Sequence, residues 1–131
     1  MSNMINLNLD SNVIPINFGA FTLNFKSTDA KEAEMTAKAK ELMEKAAELE
    51  ELEKKVDSGK ATDGELRKSV KDVLDDVFIT MFDKDAPQKI YEACGEHTWT
   101  YLNAFLQIAE HLQEIKEQRA NDETFKKYLA E

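Results

Sequence analysis

Residues 29–57, DAKEAEMTAKAKELMEKAAELEELEKKVD, contain neither Gly nor Pro and consist mostly of strong helix formers. The stretch predicts one helix of about 40–45 Å, longer than a compact domain of this size is wide, so part of it is expected to project. Apolar residues recur at Met35, Ala39, Leu42, Ala46, Leu49 and Val56, an alternation of steps of four and three broken only at Glu53, with Leu52 widening the stripe at its end. So narrow and Ala-rich a stripe can take the side of another helix but lacks the bulk to anchor a core. The pattern names no reaction. It describes a helical scaffold with a surface for partners.

The long helix has punctuation at both ends. Ser27, Thr28 and Asp29 all suit an N-cap, Asp29 and Glu32 have capping-box spacing, and Ser58-Gly59 closes the helix with Gly in the left-handed position beyond the cap. Thr62 and Glu65 form a second box almost at once, so an antiparallel helical hairpin follows. Helix two, about 63–83, carries Leu66, Val70, Val73, Leu74, Val77, Phe78, Met81 and Phe82, and its second half is expected in the core. Asp85-Ala86-Pro87-Gln88 signals a short third helix with Asp85 as cap, running to Cys94 and closed by Gly95. Residues 97–119 then place Trp99, Tyr101, Leu102, Phe105, Leu106, Ile108, Ala109, Leu112 and Ile115 on a stripe wide enough to face a bundle interior. Asn121 can cap a last turn or two holding Phe125, Tyr128 and Leu129.

Residues 1–26 read differently. Ile5, Leu7 and Leu9 alternate with Asn6 and Asn8 at strand period, and Asp10-Ser11-Asn12 supplies turn chemistry, so a hairpin with the run from Ile14 to Phe18 is expected. Phe21, Leu23 and Phe25 take the opposite parity from Ile14, Ile16 and Phe18, which requires a bulge or a tight second turn at Gly19-Ala20. Pro15 places its strand at an edge or delays its start. Two or three short strands result, serving as a lid on the helical core or pairing by an edge with a second chain. The fold class is therefore α+β, mostly α: a short N-terminal antiparallel hairpin over residues 1–26 and a bundle of four to five helices over 27–131, in a single domain.

Composition narrows the function classes. A hydrophobic content of 42% with 33% charged residues, four Gly and two Pro fits a helix-rich chain. The net charge of −9 disfavours nonspecific adhesion to nucleic acid or anionic lipid, which needs clustered cations. A single Cys94 excludes an internal disulfide, and no stretch reads as a membrane span or signal peptide, so cytoplasmic residence is expected.

Candidate chemistry is sparse. His97 and His111 do not share a helix face as a zinc pair would, and Cys94 has no companion thiol at ligand spacing, so no metal or cofactor is expected. His97 beside Glu96 could serve as acid–base machinery or sit as a cap neighbour; Cys94 could be a nucleophile or a small buried hydrophobe. Asp72, Asp75, Asp76, Asp83 and Asp85 do not follow the order of a calcium loop, and a solvated face is their default. No catalytic residue is assigned and an enzyme is not expected. Met35, Leu42, Met43, Leu49, Leu52 and Val56 are the candidate partner-binding residues, as an adaptable stripe for a helical partner or as ordinary packing.

The order of an apolar hairpin, a long charged helix and a segment ending VFITMFDKDAPQKIYEACGEHTWTYLNAFLQIAEHLQEIKEQ resembles the small tail assembly chaperones encoded by tailed phages and prophages of Gram-positive bacteria. The similarity lies over about residues 65–118, in a V-x-x-x-V-F-x-x-x-F run, an acidic turn, a short helix with Gly, and L-x-x-F-x-x-x-x-E-x-x-x-E. These are packing patterns, and no residue with assigned chemistry is carried over. The resemblance implies a homo-oligomeric protein of the bacterial host cytoplasm that binds the helical tape measure protein and keeps it soluble during tail assembly. A different class, an acidic inhibitor or DNA mimic, is the alternative. Against it stand Lys31, Lys38, Lys40, Lys45, Lys54 and Lys55, interleaved with the acids of the long helix.

Overall fold

The computed structural model describes residues 3–7, 9 and 12–121, without the side chains of 119–121. An antiparallel hairpin of β1 (Val13–Asn17) and β2 (Thr22–Lys26) precedes four helices: α1 (Asp29–Asp57), α2 (Asp63–Met81), α3 (Ala86–Ala93) and α4 (Thr98–Asn121). The expected mostly helical α+β fold is present. The turn at Asp10-Ser11 and the last turns around Phe125, Tyr128 and Leu129 fall outside the described residues.

The hairpin forms one turn later than the sequence suggests. Residues 3–7 and 9 are not a strand, and β1 instead returns through Gly19-Ala20 to β2, with Ile14 opposite Phe25 and Ile16 opposite Leu23. Gly19 has φ +94°, the positive value a two-residue hairpin turn needs at its first position, and its N–H donates to Asn17 Oδ1 at 2.7 Å. A two-residue loop with Phe18 paired to Phe21 places Ile14, Ile16 and Phe18 on the same face as Phe21, Leu23 and Phe25, which resolves the parity change without a bulge. The Phe18 N–H bonds to the Phe21 carbonyl and the Ser27 N–H to the Asn12 carbonyl, so the even-numbered residues of β1 face β2 with their backbone polar groups. Pro15 therefore turns its missing donor toward the open edge, where no strand among the described residues pairs with β1.

α2 is the central element, with α1, α3 and α4 packed around it. Its Leu66, Val70, Leu74, Val77, Phe78 and Met81 are all buried, at the steps of three and four that keep one stripe turned inward. Phe78 makes the aromatic heart: its ring lies 5.2 Å from that of Tyr101 and 6.0 Å from that of Phe105. α4 runs in the same direction as α2, since Arg67 stacks over Trp99 near their starts and Phe78 meets Phe105 further along. The intervening α3 brings the chain back, burying Ala86, Pro87 and Ile90.

Three caps hold the helices in place: at α1 one of the three candidates is selected, and at α3 the cap differs from the sequence reading. Thr28, not Asp29, caps α1, its Oγ1 accepting from the Lys31 N–H at 3.0 Å while Ser27 donates to Glu32. Thr62 caps α2 as expected. At α3 the side chain of Asp85 makes no cap bond; Asp83 Oδ1 accepts from the N–H groups of both Asp85 and Ala86 at 2.9 Å. Asp85 is already helical in conformation, so an acceptor two residues upstream is better placed.

Among the residues expected in the core, Val77 and Phe78 are fully buried, whereas Val73, Phe105 and Leu112 are only half-buried. The second half of α4 departs furthest. Among the described side chains of α4 only Thr98, Tyr101 and Ile108 are buried, all in its first half, and none from Ala109 onward is. Eight residues of α3 are too short a helix to cover an α4 of 24, and the hairpin stands beside it without filling the gap.

Candidate protein-binding surface

Two apolar surfaces compete for the role of a site. The first is the α1 stripe. Met35, Leu42, Leu49, Leu52 and Val56 are half-buried and pack against the core of their own chain, whereas Met43 points away and is 76% exposed. No residue of α1 is fully buried, so the helix lies on the bundle as an outer layer. Polar clamps fix it there. The Lys31 ammonium donates to the Thr80 carbonyl at 2.6 Å, and Lys38 bridges Glu41 and Asp76. The hydrogen bond to Asp76 is the main reason the Lys38 ammonium titrates above its ordinary range. Lys31, Lys38, Lys45 and Lys54 each pair with a glutamate three residues away, so α1 presents alternating charge and not a uniform acidic face.

The second surface was not anticipated. β1 and the second half of α4 flank an apolar groove of about 510 Å³, with Ile14, Ile16 and Phe18 on one wall and Ile108, Leu112 and Ile115 on the other. Cys94 lies at the groove and also borders a neighbouring depression toward Trp99. Burial raises its thiol pKa, which leaves it a poor nucleophile at neutral pH. His111 at the rim pairs with Glu114 at 3.5 Å and is well exposed. The sequence signal for this groove was the width of the α4 stripe: more apolar residues than one short helix can cover.

Three of the polar groups singled out earlier have partners within the fold. His97 caps α4, its Nδ1 accepting from the Thr100 N–H at 3.3 Å and its carbonyl accepting from the Tyr101 N–H at 2.9 Å. Asp75 is not on a solvated face. Its Oδ1 accepts from the Tyr101 hydroxyl at 2.8 Å and its Oδ2 pairs with Lys71 at 3.0 Å, while the Lys71 ammonium sits 4.7 Å from the centre of the Tyr91 ring. Burial, then the bond to Asp75, drives the Tyr101 phenol well above its usual range. Asp83 spends its carboxylate on the α3 cap.

Among the described residues no three His, Cys, Asp or Glu side chains lie close enough to hold a metal ion, and no helix is long and apolar enough to cross a membrane. Comparison with protein-family models, with curated proteins and with solved structures found no match to this chain.

Proposed function

We propose that the protein is a tail assembly chaperone-like binding protein that holds an apolar helical client, of the tape measure type, and keeps it soluble. The observation that supports this reading is the groove between β1 and α4, an open apolar trough beside a helix. A trough of this kind takes the apolar stripe of an amphipathic helix, with anchors at steps of three and four. The acidic surface, at −9, keeps such a complex dispersed while the client is unassembled. The fold order and the packing patterns of residues 65–118 support the same reading by resemblance.

We seat the client at the groove and not on the α1 stripe, because the stripe is thin and clamped to α2 through Lys31 and Lys38, whereas the groove stands open between β1 and α4. Co-expression with a tape measure protein, followed by pull-down, tests the proposal. The wild-type chain is expected to retain the client in soluble form, and Leu112→Glu with Ile115→Glu is expected to release it while still unfolding in a cooperative thermal melt. Failure to retain any tape measure segment, or retention unaffected by the double substitution, rejects the reading.

A further inference from the structure

The molecule carries a second unsatisfied apolar surface beside its groove. Met4, Ile5, Leu7 and Leu9 are 72–81% exposed, the largest apolar side chains left uncovered near the hairpin. They lie N-terminal to β1 in the sequence and do not line the groove of their own chain. We propose that this N-terminal arm seats in the β1–α4 groove of a second copy, and that the second copy's arm returns the contact. The inference rests on reading the groove as a docking seat and not on the identity of any client.

Three features select the arm of another copy as occupant. The first is charge. Each copy carries −9, so copies repel, yet residues 3–9 hold no charged side chain and can approach without desolvating one. The six apolar wall residues are likewise uncharged. The second is spacing. Ile5, Leu7 and Leu9 fall on one face of an extended chain about 6.6–6.8 Å apart, close to the about 6 Å between residues four apart on a helix such as Ile108 and Leu112. The third is the backbone. The open edge of β1 offers the N–H and C=O groups of Val13 and Asn17 and the carbonyl of Pro15, so an extended occupant finds partners that a helix could not use. Exchange of arms closes a two-fold pair in which both grooves are filled.

Analytical ultracentrifugation of the full chain over a concentration series, with a complementation arm, tests this. The wild type is expected to form a dimer, and either Ile5→Asn with Leu7→Asn or Leu112→Glu with Ile115→Glu is expected to weaken it by at least about tenfold. The arm variant keeps an intact groove and the groove variant an intact arm. Mixed, they are expected to associate through one arm and one groove, although neither associates strongly with itself. Cys94 gives an independent readout: its maleimide labelling is expected to be slower in the dimer than in the arm variant. A monomeric wild type, a dimer indifferent to the arm, or Cys94 protection that is independent of concentration, as an arm seated in its own chain would give, overturns the proposal. Client capture is read separately, by pull-down with the arm variant, whose groove is intact.

Discussion

The Tyr101 hydroxyl donates to Asp75 Oδ1 at 2.8 Å, joining the start of α4 to the middle of α2 beneath a fully covered aromatic ring. Asp75 also holds Lys71, so one carboxylate satisfies both a buried phenol and a half-buried ammonium. Tyr101→Phe keeps the ring against Phe78 and Tyr91 but removes the donor. The expected cost is about 1–2 kcal/mol in urea unfolding, with the slope of the transition unchanged. A loss above about 4 kcal/mol would mean that the hydroxyl organises more than this bond.

Two groups set an alkaline limit. Tyr101 and Lys38 both have folded-state pKa values raised above their unfolded ones, the first by burial and the second by its bond to Asp76. Their contributions are complete below the unfolded values, about 10, and are lost as pH rises because the unfolded chain releases those protons first. Stability is therefore expected to be flat with respect to these groups below about pH 9 and to fall above about pH 10. Tyr101→Phe removes the larger share of that fall, read from melts across the alkaline range. An identical alkaline slope in the variant would place the titrating group elsewhere.

Burial ranks the core substitutions. Phe78 is fully covered at the junction of α2 and α4, and Phe78→Ala is expected to cost about 3–5 kcal/mol. Phe105 touches the same ring from a half-buried position, so Phe105→Ala is expected to cost less, about 1–3 kcal/mol. Equal losses in paired denaturant titrations would show that the upper part of α4 is better covered in solution than its exposure suggests.

Helices were legible because their signals are local. Thr28, Thr62, Gly59 and Gly95 act within one turn of the chain, and Gly59 and Gly95 adopt the positive φ expected of residues just beyond a helix end. The strand pairing was harder, because Ile5–Leu9 and Thr22–Lys26 both have the period to face β1. The tight turn at Gly19 decides between them by closing the shorter loop. Asp75 was misassigned to solvent because its partner Tyr101 lies 26 residues away, a distance over which periodicity carries no information. The groove escaped for a related reason: a stripe shows that a face is apolar, not whether the remaining chain reaches far enough to cover it.

The α1 stripe yields the last prediction. Leu42 and Leu49 look like an open interaction seam in sequence, since Ala39 and Ala46 between them leave the stripe thin. In the fold both are half-buried against the core, with Lys31 bonded to Thr80 and Lys38 to Asp76 on α2. Leu42→Glu with Leu49→Glu would put two carboxylates into this apolar seam, where Lys38 and Lys45, a turn away, already pair with Glu41 and Glu48. The double variant is expected to melt well below the wild type, by a shift corresponding to about 2–4 kcal/mol, whereas Met43→Glu, on the exposed side of the same helix, is expected to stay within about 0.5 kcal/mol. If the double variant melts like the wild type and loses its client, α1 detaches from α2 at little cost and is itself the binding surface. If it melts early while Met43→Glu retains the client, the stripe belongs to the core and the β1–α4 groove remains the seat.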